Sequence, residues 1–430
     1  MIKKPLSLFS LFALLASASA GAEIRLSDNG VGDAVYVPYY SVDQSQASLI
    51  TVNNTSDQAT SARVVLTEQK NGQAGLYFLL FMPPRSQWTA ALSATEQGAR
   101  LTTNSNICTV PAIPTAGVEL RNFDYANNYP DAGGNSLQRT RSGAIEIIER
   151  GVLSGNLRSL TLDKQCGSLI GNYVPGASAS RTGQVGAPSS GLSANVQVVN
   201  VSSGLVFPIQ GHALTGHSTV ARDTEVLVEH IERFSRPAID AGATEFTVAI
   251  RGGRYAFAAD RGPDAVSSLF MTSRLDGEVH TQAALGASTR WVLSFPTKHA
   301  YVATFPGSLV NGAAVAPFSN LFGAEGACES LTRSDYEFDG SKRGADAQLA
   351  LCFQQNLLDF NGESGLTGLV LDDLSSRTLQ ARSLETGSTF TFRGLPVVGF
   401  RLSNFVNGQA TPGVLANYSV AMPLRAAGSQ

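Results

Sequence analysis

Charge is scarce in this chain. Asp, Glu, Lys and Arg make up 15% of its 430 residues, against about 25% in an average globular protein. Thirty-one basic residues face thirty-four acidic ones, for a net charge of −3. No basic stripe or aromatic platform breaks that balance, which argues against a nucleic-acid surface built on phosphate neutralisation. Histidine is also sparse: His212, His217, His230, His280 and His299 never fall two or four residues apart, so no pair offers two imidazoles to one metal. His212 and His217 lie five apart and point to opposite faces of any extended segment; they read as surface-loop histidines. The four cysteines are never two to four residues apart, which removes the usual zinc spacing. There is no Gly-x-Ser-x-Gly elbow, no phosphate-cradling Gly-rich Lys loop and no His-Glu-x-x-His. Continuous helical periodicity is nearly absent, with Ala345 to Leu351 the one stretch able to support a turn or two.

What is present begins with residues 1–20. Met1-Ile2-Lys3-Lys4 is basic, Leu6 to Ala18 is apolar, and Ala18-Ser19-Ala20 is a small-x-small cleavage site. That order is a secretory signal peptide. Its apolar run falls short of the about 20 residues a membrane-spanning helix needs, and no cysteine follows it to carry a lipid. A soluble product exported to the periplasm or beyond is expected, without a transmembrane helix once the signal is removed. Cys108, Cys166, Cys328 and Cys352 suit that oxidising setting. Four cysteines allow three connectivities; their grouping into one pair per half favours Cys108–Cys166 and Cys328–Cys352.

The rest reads as mostly β, an antiparallel β-sandwich architecture in two β units with long irregular loops. Strands are expected at Ala34–Tyr40, Ser48–Val52, Ala62–Glu68, Tyr77–Met82, Ser86–Leu92 and Gly143–Glu149. Further strands follow at Asn195–Val201, Thr224–Val228, Glu245–Ile250, Arg254–Ala258, Ser288–Phe295, Tyr301–Phe305, Thr389–Arg393, Leu395–Phe400 and Tyr418–Met422. Pro38 lacks a ladder donor and marks an edge or a bulge. Residues 102–131 are irregular. The Gly/Ser/Ala-rich stretch 175–192 reads as an exposed loop or linker between an N-terminal unit, 21–174, and a C-terminal one, 193–430.

Few groupings suggest chemistry. Asp335, Glu337 and Asp339, with Gly340 and then Asp346, loosely follow a calcium loop, although Asp replaces the final Glu and no flanking helices are evident. Glu229, His230 and Glu232, preceded by Asp223 and Glu225, could supply an acid–base set, but alternation explains them as the solvated side of a hairpin. Glu146, Glu149 and Glu229 are the carboxylates available to a hydrolase. Tyr36 and Tyr40 share a face and Tyr39 takes the other, a pattern of packing residues rather than a flat binding patch. Trp88 reads as a core residue. No catalytic residue and no cofactor is assigned.

Several blocks together resemble an uncharacterised group of exported bacterial proteins, mainly from Gram-negative species. They are Val37-Pro38-Tyr39-Tyr40, Val52-Asn53-Asn54-Thr55-Ser56-Asp57, Trp88-Thr89-Ala90-Ala91, Trp291 to Lys298, and Gly394 to Phe400. The resemblance implies an envelope or extracellular setting and carries over no activity. The function expected is that of an exported, non-enzymatic structural or interaction protein. Its strand edges would serve self-association or an envelope protein or glycan partner. A secreted hydrolase acting on polysaccharide and an outer-membrane β-barrel are the alternatives.

Overall fold

The computed structural model describes residues 23–223, 232–360, 364–407 and 409–428; the expected signal peptide and the expected strand Thr224–Val228 lie outside them. The protein is mostly β, 46% strand and 12% helix, in several antiparallel sheets, and among the described residues none closes into a barrel.

The first sandwich sets four strands of an eleven-stranded sheet against a six-stranded one. Ala34–Ser41, Ser142–Val152, Thr60–Glu68 and Ala74–Met82 lie side by side. Opposite them stand Gln46–Asn54, Ser86–Ala94 and Leu192–Asn200. Alternate residues meet between the layers, Val64, Leu66, Ile145 and Ile147 from one, Ile50, Val52, Trp88 and Val196 from the other. Trp88 is fully buried beside Phe78, as its sequence context predicts.

Thr60–Glu68 is buried at every position and Ser142–Val152 at all but the last. The cause is a second cover. On the outer face Leu79 and Phe81 meet the helices Gly155–Leu162 and Cys166–Gly171, which Cys108–Cys166 ties down. Farther along, Tyr36, Ala144 and Ile148 enter a second core. A sheet covered twice has no solvated side, so its strands read as apolar runs rather than alternations.

Pro38 sits at a bulge. Tyr40 pairs with Gly143 but Val37 pairs with Ile145, so three steps on one strand match two on the other. The extra residue inverts the side-chain parity. Tyr36 therefore packs on Phe234 in the second core, while Tyr39 and Tyr40 both pack in the first. The expectation that Tyr36 and Tyr40 share a face is corrected by that bulge; the expectation that the tyrosines pack inside holds.

The second core lies among three layers: the far strands of the large sheet, a six-stranded sheet around Met271–Val279, and a four-stranded sheet around Ala287–Ser294 and Val398–Phe405. The four-stranded sheet is a shared wall, since Trp291 and Leu293 face the second core while Val292, Phe400 and Leu402 complete the first. Strands on both sides of residues 175–192 share sheets: Leu192–Asn200 pairs with Gln46–Asn54, and Glu23–Leu26 pairs with Glu245–Ile250. The loop itself is not wholly exposed, because Arg181 is buried and donates to Asn172 O and Asp223 O.

Three element expectations fail, the first because Leu395–Phe400 is not one strand: Leu395–Pro396 pairs with Met271–Val279 in one sheet and Val398–Phe405 with Ala287–Ser294 in another. Residues 301–305 are not a strand; His299–Val302 is one buried helical turn, with the Tyr301 hydroxyl bonded to Asp264 and Ser267. Ala347–Leu351 is a strand rather than a helical turn, because it pairs with Glu329–Tyr336 inside the Cys328–Cys352 loop. Both expected disulfides form.

Candidate functional site

The carboxylates weighed for hydrolysis are committed to the fold. Glu146 is fully buried and accepts two 2.8 Å bonds from Arg233 and one of 2.9 Å from Phe234 N. Burial pushes its carboxyl up, but the Arg233 charge and these bonds outweigh it and hold the group below the usual range. Glu149 accepts from Thr60 Oγ1, Ser189 Oγ and Ser189 N. Glu232 is not on a solvated hairpin: it is buried and pairs with Arg150 at 3.0 Å. Glu225, Glu229 and His230 lie outside the described residues, and Asp223 accepts Arg181 through its backbone.

His217 is also not a surface histidine. It is fully buried and stacked on Phe234, with Nε2 at 2.9 Å from Phe234 O, and burial pushes it down to about 3. A nucleophile–base pairing that the sequence did not signal appears close by. Ser235 Oγ lies 2.9 Å from His299 Nε2, and His299 Nδ1 lies 3.2 Å from Gln354 Oε1. The three residues come from distant parts of the chain and are 1–2% exposed. The third member is an amide, which cannot stabilise an imidazolium as a carboxylate does. Lys298 is equally buried, donates to Leu351 O and Phe353 O, and is pushed down to about 7 by burial. These groups form a polar seam that ties the segment from Glu232 onward to both cores.

The calcium-like residues each have protein partners. Asp335 accepts from Arg333 and Thr367, Glu337 from Arg343, Asp339 from Ser341, and Asp346 from Lys342 and Ser334. Among the described residues no three His, Cys, Asp or Glu side chains are grouped to hold a metal ion. Among the described residues no helix is long and apolar enough to cross a membrane.

An open apolar space lies elsewhere, in a cleft of about 920 Å³ beside the second core. The chain entering Met271–Val279 supplies Phe270 and Met271 to its floor. One wall is an aromatic group: Tyr255 lies 4.8 Å from Phe390 and 5.0 Å from Phe392, ring centre to ring centre. The other wall is Val397, Val398 and Leu424. Two glycines seat Leu424 there. A Cβ at Gly277 would come within 2.4 Å of Leu424 Cδ2, and one at Gly399 within 2.9 Å of Cδ1. Sequence patterning marked several of these strands but not the cleft, because its walls come from four separate stretches of chain.

His212 is one of the polar side chains set among these apolar walls. Its strand, His212–Thr215, places it opposite Tyr36 on the second-core side, edge-on to Phe270 at 6.3 Å. Its imidazole makes no hydrogen bond among the described residues, and burial alone pushes it down to about 4, so it is neutral near pH 7. Apolar walls with a few polar side chains, here His212, Tyr255, Ser268 and Thr272 beside the charged Arg25, Asp28 and Arg251, are the usual make-up of a small-molecule site. Comparison of the chain with protein-family models, with curated proteins and with solved structures gives no match in any of the three.

Proposed function

We propose that this is an exported, non-enzymatic interaction protein of the bacterial envelope or extracellular space, whose β scaffold holds a binding cleft for an apolar molecule. The observation that carries the reading is the cleft between Phe270, Phe392 and Leu424, set against the burial of Ser235, His299, Glu146 and Glu149. Export is drawn from residues 1–20 and fits the two disulfides. The test is a titration of mature protein, purified without detergent, with the neutral apolar fluorophore N-phenyl-1-naphthylamine. One saturable site is expected; a fluorescence change that never saturates overturns the reading.

Association through strand edges is a second route by which such a protein could act. Ala347–Leu351 ends its sheet, and four of its five residues are not buried. An unpaired edge of this kind can accept another strand.

A further inference from the structure

The identity of the ligand can be narrowed from the chemistry of the cleft, an argument that rests on the binding reading above. We infer that the cleft takes a hydrocarbon or aromatic molecule carrying one uncharged hydrogen-bonding group, an alcohol, ester or amide, and that this group is held by the imidazole of His212.

Three observations converge on that class. First, Phe270, Met271, Phe390, Phe392, Val397 and Leu424 give a lining that an ionised body would have to enter unsolvated. Met271 adds a flexible thioether able to follow irregular apolar shapes.

Second, the serine and threonine hydroxyls in the lining are already used, which leaves the His212 imidazole and the Tyr255 hydroxyl as its uncharged polar groups. Thr272 Oγ1 donates to the chain at Ala427 O, and Ser268 Oγ donates to Ala265 O at 2.8 Å. The imidazole of His212 has no such protein partner among the described residues, and as a neutral ring it offers one donor and one acceptor.

Third, Arg25, which lines the cleft beside Leu26, is already engaged. Arg25 pairs in register with Thr215 and donates to its Oγ1 at 3.1 Å. Its neighbours Ile24 and Leu26 take the opposite face of the strand, with Ile24 in the second core and Leu26 in the cleft lining. Arg251, on the turn between Glu245–Ile250 and Gly253–Ala258, and Asp28 also line the cleft, so its charged residues are of both signs. A carboxylate reaching His212 would therefore meet a neutral imidazole rather than a cation.

Competition against N-phenyl-1-naphthylamine at pH 7.5 tests this with four ligands of one chain length: decan-1-ol, methyl decanoate, decanoate and decane. The alcohol and the ester should displace the probe at concentrations at least tenfold below decanoate. The alcohol should also exceed decane by about fivefold, the worth of one net hydrogen bond. His212→Phe should remove the advantage of alcohol over decane, each measured against the probe's own affinity for that variant, and His212→Gln should restore part of it. Ala426→Trp should abolish binding of every ligand. Ala426 is exposed and pairs with Leu275 on the cleft side, so an indole there covers the opening without entering the core. Decanoate binding as well as the alcohol, or an alcohol preference that survives His212→Phe, overturns this inference and leaves the binding cleft standing. Failure of every ligand and of the probe overturns both.

Discussion

Glu146 and Arg233 face each other through two hydrogen bonds of 2.8 Å, and neither side chain is more than 3% exposed. The pair joins the strand Ser142–Val152 to the segment that follows residue 231, and Arg150–Glu232 repeats the join four residues farther along the strand. Buried ion pairs add little net stability over apolar residues, yet losing one partner strands a charge. Glu146→Ala is therefore expected to cost about 3–5 kcal/mol in urea unfolding. Glu146→Leu combined with Arg233→Met should recover most of that loss. A double variant as unstable as the single one would contradict this account of the seam.

The disulfides should contribute unequally. Cys108–Cys166 closes 58 residues and Cys328–Cys352 closes 24. On the chain-entropy description these give about 4 and about 3.5 kcal/mol. Replacing Cys108 and Cys166 by Ser should also expose the helix pair over Leu79 and Phe81 to early proteolysis, because the bridge joins that pair to the edge of the large sheet. Peptide mapping without reduction checks the pairing, and a Cys108–Cys328 peptide would contradict it.

Acid should destabilise the protein partly through His212. Its imidazole binds a proton at about 6.5 when unfolded but only at about 4 when folded. The unfolded chain thus holds more protons below pH 6.5, and stability falls as pH drops from there toward 4, by up to about 3 kcal/mol for this group. Asp33 acts in the opposite direction, since burial raises its carboxyl to about 6 and protonating it relieves that cost. His212→Phe should flatten the acid limb of the stability profile by about one proton between pH 6.5 and 4. An unchanged slope would show that His212 is solvated.

How far the sequence carried the fold follows from which groups decide it. The strands of the first sandwich were legible because Val64, Leu66, Ile145 and Ile147 project a continuous apolar face. The bulge at Pro38 was half legible: its missing donor marked the place, but the parity change that separates Tyr36 from Tyr40 is fixed by pairing with Gly143 and Ile145, a hundred residues away. Tyr301–Phe305 looked like a strand because of its β-branched and aromatic residues, but Tyr301 and Val302 are buried in a helical turn, where Asp264 and Ser267 rather than local propensity decide the conformation. The buried state of Glu232 and His217 had no local signal, because their partners Arg150 and Phe234 are supplied by other elements. The cleft was invisible for the same reason: Gly277 and Gly399 look like ordinary strand glycines until Leu424 is seen between them.

Those two glycines permit a direct mutational check of the cleft wall. Gly399→Val should displace Leu424 and lower the unfolding free energy by about 1–3 kcal/mol, as overpacking does. Shortening the displaced residue in the pair Gly399→Val with Leu424→Ala should return part of it. No rescue would mean that the space around Leu424 is not shared in the way described.

Hydrogen exchange with and without N-phenyl-1-naphthylamine tests the binding account most directly. The account predicts slower exchange in Gly253–Ala258, Met271–Val279, Thr389–Arg393 and Val398–Phe405, unchanged exchange in Gln46–Asn54 and Ser86–Ala94, and no effect in Ala426→Trp. Protection centred on the first sandwich, or a probe effect that survives Ala426→Trp, would contradict it.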